Sequence, residues 1–334
     1  MRDRRSAKAL AERLARYRRE MSVAIAIGGL ALVLAAAAPG YFSAENLSDL
    51  FLANMPVLVI ALGATLVILA GEIDISVGSV FAICGIVAGV TVKAGMPVAV
   101  GGLAACAAGA LLGATNGALV AYLHIPSIVV TLATMVAWRD ALRWSTGGAW
   151  VENLPQRFQW LGLTQASYPI VTFAGVAALT GALAWTLRHV AAGRAVYATG
   201  SNPDAARLGG LDVARVKGSV FAIAGMLTGL AAMLNSVRFN QIPSNAGIGL
   251  EMKVIASVVV GGAAITGGRG TVMGTVLGVV LLGAIGPALT FLGVSAYWER
   301  AIQGAIILTA VGVDSYRASR PQASRHISRA AASA

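Results

Sequence analysis

Residues 71–80 read GEIDISVGSV and set two carboxylates, Glu72 and Asp74, two positions apart directly after the apolar run FLANMPVLVIALGATLVILA. A carboxylate pair can serve acid–base chemistry, one group giving a proton while the other takes one. That chemistry needs further parts, and the sequence supplies none of the familiar ones. There is no G-x-x-x-x-G-K-[ST] phosphate loop, and the glycine run GGAAITGGRG at 261–270 is not followed by Lys-Ser/Thr. No H-E-x-x-H and no G-x-S-x-G occurs. Cys84 and Cys106 lie inside apolar runs, where they read as small core residues, and His124, His189 and His326 are scattered without ligand spacing. No enzyme and no cofactor is expected from this chain. Glu72 and Asp74 are therefore read as an element of structure or transport, not as a catalytic acid pair.

The surroundings of the pair decide which. Of 334 residues 57% are hydrophobic and 12% charged, against about 25% charged in soluble domains. Ten apolar stretches stand out, at roughly 21–38, 50–70, 78–93, 97–123, 126–142, 168–187, 216–236, 250–266, 271–293 and 298–313. A helix crossing a bilayer needs about 20 such residues, and an open sheet edge cannot be satisfied in lipid. The third, eighth and tenth stretches are short enough to be tilted, broken or partly re-entrant. Apolar runs continue almost to the last residue, so 22–38 reads as a first span and not as a cleaved leader. Gly225–Gly229 and Gly274–Gly278 have the spacing that lets helices approach closely in lipid. The expected fold is an all-α polytopic membrane protein with about ten transmembrane helices.

The formal charge of +11 gives the orientation. Residues 1–20, the 188–217 loop, Arg269 and the tail from 314 hold 18 of the 25 Lys and Arg, and alternation of ten spans puts all four on one side. Basic residues gather on the cytoplasmic side, so both termini are expected there. The charge is a topology signal, and without interleaved aromatics it does not suggest nucleic acid. The chain divides into a basic tail at 1–20, a transmembrane domain at 21–313 and a second basic tail at 314–334. Glu72 and Asp74 then fall at the cytoplasmic end of the second span, within reach of water or a basic partner. Gly71 and Gly78 bracket an expected helix break, and GSV at 78–80 is echoed by GTV at 270–272. Paired interruptions in two halves of a transporter mark its path or gate. The gate candidates are Glu72, Asp74, Ser76, Gly78 and Ser79. Nearly all ionisable residues are expected at span ends, Arg139, Glu251, Lys253, Glu299 and Arg300 among them. Asn116, Thr131, Thr134 and Asn235 lie deeper and suit a path for a neutral, hydroxyl-rich solute.

Two loops are long enough for work of their own. The outer one, 143–167, carries Trp144, Trp150 and Trp160, which read as interfacial anchors or as a docking or gating surface. The inner one, 188–217, contains Ser201-Asn202-Pro203-Asp204, a helix-start signal. A helix of one or two turns, DAARLGG, follows and stops at Gly209-Gly210, across the cytoplasmic mouth.

These motifs identify a family. GEIDISVGSV resembles the GGIDLSVGS signature of the permease subunits of bacterial ABC importers of the ribose/galactose/xylose type, which are branched-chain permease-like proteins. GSNPDAARLGGLDVARVK (200–217), GGRGTVMGTVLGVVLLGAI (267–285) and NGALVAYLHIPSIVVTLATM (116–135) resemble other segments of that family in the same order, over about residues 45–313. Glu72 departs from the pattern, which more often has Gly there. The resemblance implies a multi-pass permease of the bacterial inner membrane, surrounded by lipid and paired with a second copy or a homologue. It also implies a cytoplasmic ABC ATPase, which binds the ATP, and a periplasmic sugar-binding protein. By position, Ser201, Asn202, Pro203, Asp204, Ala205, Ala206, Arg207 and Gly209 would meet the ATPase. WRDALRWSTGGAW (138–150) and residues 236–262 most resemble rhamnose and autoinducer-2 permeases. Rhamnose is the favoured solute, with autoinducer 2 or ribose, xylose or galactose as the alternatives. An ion-coupled secondary carrier is the alternative of another class, and the scarcity of mid-span charge counts against it.

Overall fold

The computed structural model describes residues 18–295 and 297–318. Most of the two expected tails lies outside the described residues, and their described parts, 18–20 and 314–318, extend helices. The α-helices are α1 (Arg18–Ala37), α2 (Ala44–Leu69), α3 (Val77–Lys93), α4 (Val98–Ala121), α5 (Ser127–Thr146) and α6 (Ser167–His189). They continue as α7 (Ala191–Ser201), α8 (Pro203–Leu208), α9 (Val213–Ser236), α10 (Leu250–Val260), α11 (Val272–Phe291) and α12 (Trp298–Ala318). Each of the ten apolar stretches coincides with a helix. Among the described residues six helices, α1, α2, α4, α6, α9 and α11, are long and apolar enough to cross a membrane. α3 is apolar but has 17 residues, α5 carries Arg139, Asp140 and Arg143, and α10 has only 11 residues.

α2 forms the centre. Its best apolar window is 83% buried, and it packs against α6, α9, α10 and α11. Inside this apolar packing the Thr65 and Thr275 hydroxyls pair at 2.7 Å and join α2 to α11. Thr65 Oγ1 also reaches the Ala61 carbonyl of its own helix at 2.7 Å. The hydroxyl pair is a polar tie between two apolar helices that helps to fix their register.

α4 and α9 cross backbone to backbone. A Cβ on Gly225 would stand 2.0 Å from the Gly109 carbonyl oxygen, and one on Gly109 would stand 2.1 Å from that of Gly225. The Gly274–Gly278 spacing works in the same way against α10, where a Cβ on Gly278 would meet the Ser257 carbonyl oxygen at 1.9 Å. Gly225→Leu should therefore force the α4–α9 crossing apart, destabilising the bundle by about 1–3 kcal/mol or more. A lower melting midpoint of the purified protein in detergent is the expected reading.

The two ends of the bundle differ. One end, called here the basic end, carries α7, α8 and the 261–271 turn. The opposite end carries the 147–166 segment, which pairs with 237–249. Val151 and Ile242 exchange backbone hydrogen bonds at 3.0 and 2.9 Å, Trp160 N–H donates to the Val237 carbonyl at 2.8 Å, and Ser244 Oγ donates to the Gly148 carbonyl at 3.0 Å. Trp144 is 88% exposed, whereas Trp160 packs edge-on against Tyr168 with ring centroids 5.2 Å apart.

From that clamp, 237–249 runs down into the bundle. A Cβ on Gly247 would stand 2.5 Å from the Gly78 carbonyl oxygen, so the two backbones touch. Gly247 has φ +75°, a conformation that suits glycine. α10 begins just past this contact, which leaves it only 11 residues long.

Candidate functional site

α2 stops at Leu69 and the chain turns at Gly71, φ +83°. Residues 72–75 are irregular, and α3 starts at Val77. The helix break bracketed by Gly71 and Gly78 is thus present. Its side chains, however, are not laid along a surface. After Gly71 the chain folds back between α4 and α5, where Ile73 N–H donates to Ser127 Oγ at 3.2 Å. Asp74 is 5% exposed. Its Oδ1 accepts from Ser76 N–H at 2.8 Å and Ser76 Oγ–H at 2.6 Å, and Asn116 Nδ2 donates to that Oγ at 2.9 Å. The expectation that Asp74 reaches water is overturned, because the turn at Gly71 sends it inward.

Glu72 does find a basic partner. Its carboxylate pairs with the Lys217 ammonium from the first turns of α9, and their side chains are 11% and 21% exposed. The residue that departs from the signature thereby ties the signature to the end of the 188–217 loop.

Three motifs meet at the basic end. A Cβ on Gly200 would stand 1.9 Å from the Leu69 carbonyl oxygen and 2.8 Å from Gly268 N. That same Leu69 carbonyl accepts from Gly268 N–H at 2.9 Å. The end of α2, the end of α7 and the glycine turn before α11 are thus locked by glycines where side chains would not fit. Tyr197 Oη adds a hydrogen bond to the Gly270 carbonyl at 2.9 Å.

From this junction projects α8. Asn202 caps it, its Oδ1 accepting from Asp204 N–H at 3.1 Å and Ala205 N–H at 3.0 Å. Pro203 occupies the first helical position, and Asp204 and Arg207 pair at 2.9 Å on the exposed face. Gly209 caps the other end, and Leu208 is 92% exposed. Ser201 lies against Gly268, and Ala206 is buried. The short helix expected from local signals is present. A second helix, α7, occupies the part of the loop that those signals left blank.

Above the Gly78–Gly247 contact lies a cavity of about 500 Å³. Val57, Ile60 and Phe81 make part of its wall, and Asn235, Lys253 and Gln303 bring polarity. Glu299 and Arg300 complete the charged part. Glu251 and Lys253 lie in the first turn of α10, and Glu299 and Arg300 in the first turn of α12, at helix starts as expected; Lys253, Glu299 and Arg300 line the cavity. Arg139 Nη2 and Glu251 Oε2 flank Gly78, at 3.1 and 2.4 Å from the position its Cβ would take.

Of the four residues expected along a solute path, Asn235 lines this cavity. Asn116 is fully buried beside Ser76, and Thr131 is fully buried with its hydroxyl on the Ser127 carbonyl at 2.8 Å. Thr134 donates to the Val130 carbonyl of its own helix at 3.0 Å. Ser79 donates to the Met135 carbonyl at 2.7 Å and fastens α3 to α5.

The family described as branched-chain amino acid transport system / permease component matches residues 46–311. The chain belongs to this permease family. The permease is 40% identical over 301 residues to the autoinducer 2 import system permease protein LsrC of Enterobacter sp. (strain 638), covering 89% of this chain and 86% of that protein. It is 38% identical over 297 residues to the protein of the same name from Salmonella typhi, covering 87% and 84%. The corresponding Klebsiella pneumoniae protein is 39% identical over 298 residues, covering 89% and 86%. No solved structure matches the permease. It is a multi-pass membrane protein of the sugar-type ABC permease group.

Sequence reasoning missed Lys217, Leu208, Gly200 and Gly247 as parts of this arrangement. Gly200, Leu208 and Lys217 all stand inside the quoted motif at 200–217. Nothing local marks what Lys217 and Gly247 meet, because their partners Glu72 and Gly78 lie far away in sequence.

Proposed function

We propose that the permease is the membrane subunit of an ABC importer for autoinducer 2, in the bacterial inner membrane with both termini cytoplasmic. A second permease, a cytoplasmic ATPase and a periplasmic binding protein complete it. Solute delivered at the 147–166 end enters the cavity, and α8 seats the ATPase at the basic end. The observation that carries the coupling role is α8 itself: a capped helix whose Leu208 and Asp204–Arg207 pair face outward from the glycine junction. The solute assignment rests on the named relatives, which favour autoinducer 2 over the rhamnose expected from the sequence.

In proteoliposomes carrying the full transporter, ATP should drive uptake of autoinducer 2, and excess rhamnose should not compete. Competition by rhamnose with no uptake of autoinducer 2 would reverse the solute assignment. Replacing Asp204 and Arg207 together with Ala should leave the fold intact, because exposed ion pairs contribute little to stability. Uptake per ATP hydrolysed should fall severalfold, and more so when Leu208→Asp is added. Unchanged coupling in the triple variant would remove α8 from the ATPase interface.

A further inference from the structure

We propose that Lys253, Glu299 and Gln303 form the permease's own solute-selecting site, one that takes an uncharged molecule bearing neighbouring hydroxyls. The inference rests on the import function proposed above and names the groups that would read the solute. Glu299 Oε1 accepts from Gln303 Nε2 at 3.0 Å, while Lys253 Nζ stands 4.0 Å from the same oxygen. That separation is too long for a hydrogen bond. Among the described residues the Lys253 ammonium donates no hydrogen bond, although its side chain is 23% exposed and faces the cavity. An ammonium with open donors in a confined space is costly unless an acceptor arrives.

The 4.0 Å gap has a chemical meaning. One hydroxyl oxygen can sit about 2.8 Å from both the ammonium and the carboxylate, accepting from the first and donating to the second. A bare cation would meet Glu299 but face Lys253 and Arg300, and a bare anion would meet those two but face Glu299. An apolar solute would leave both unmet. Gln303 keeps its amide carbonyl and one N–H for the next hydroxyl along the molecule, since its other N–H is held by Glu299. Glu299 Oε2 is directed towards α11, within 2.6 Å of the Cβ position of Gly286, so Oε1 is the oxygen left to the cavity. The same cavity is also lined by Val57, Ile60, Phe81 and Phe239, apolar surface suited to the carbon side of a small ring. About 500 Å³ lies within the range of small-molecule sites.

The test uses the complete transporter in proteoliposomes and two probes: autoinducer 2, and the same molecule with one hydroxyl replaced by hydrogen. The wild type should move the parent about tenfold faster than the deoxy analogue, the value of one well-placed hydrogen-bonding group. Glu299→Gln keeps the side-chain shape, and it should bring the two rates together while ATP hydrolysis continues. Lys253→Met should do the same and serves if Glu299→Gln does not fold. Discrimination that survives in a folded variant of either residue overturns the proposal and leaves the import function standing. A wild type that hydrolyses ATP but moves neither probe overturns the import function, and the proposal with it.

Discussion

Gly200→Val should abolish transport while the associated ATPase continues to turn over. The valine Cβ has no room, because the position it needs is 1.9 Å from the Leu69 carbonyl oxygen. That oxygen already holds Gly268 N–H at 2.9 Å, so any relief breaks the bond joining α2 to the turn before α11. Overpacking of this kind costs about 1–3 kcal/mol. If the closed junction is the state that transmits ATPase closure, the upper half of that range is worth roughly a hundredfold in its population. Uptake at saturating solute should fall by that order, with solute-independent ATP hydrolysis left behind. Gly181→Ala on α6 is the matching control, since nothing lies within 4 Å of its Cβ position. Full uptake in Gly200→Val would show that the junction plays no part in transmission.

The second large effect concerns Glu72 and Lys217. Lys217→Met leaves a carboxylate with 11% side-chain exposure and no cation. Removing one partner of a fully buried pair costs about 3–5 kcal/mol. The partial exposure of both side chains places this pair at or below the lower end. The melting midpoint in detergent should drop in Lys217→Met and recover in the double variant with Glu72→Gln, which removes the stranded charge. The exchange Glu72→Lys with Lys217→Glu should also restore transport. If single and double variants lose equal stability, the two residues are not coupled, and the departure from the signature glycine has no structural partner.

What the sequence made legible was local or statistical. Asn202 and Pro203 announce α8, because a cap is decided within four residues. The spans are visible as apolar runs, because bilayer thickness sets their length. The glycine spacings on α9 and α11 are visible because close helix crossings leave no alternative to a hydrogen side chain. What stayed hidden depends on contacts between distant residues. Following a span end, Asp74 reads as within reach of water or a basic partner, and only the packing of 72–76 between α4 and α5 takes it from both. Lys253 and Glu299 sit near helix starts in sequence, as expected. That they face one cavity follows from the packing of α10 against α12, which no periodicity records. The value of Glu72 was open for the same reason, its partner being supplied by another helix.

The contact between Gly78 and Gly247 also fixes how this protein insulates. On one side of it lies the cavity, and on the other the Asp74–Ser76–Asn116 cluster. From Gly78 to Gly71 at the basic end, seven residues of chain reach at most about 23 Å, less than the roughly 30 Å of hydrocarbon in a bilayer. The resistance of the membrane at this point is therefore not set by lipid thickness. A voltage between the two faces of the membrane is then expected to fall across a short stack of backbone and buried polar groups, with a correspondingly steep local field. A side chain at Gly78 that pried the contact open would admit protons and small cations before it admitted any solute, and the cell would register a leak before a change in uptake.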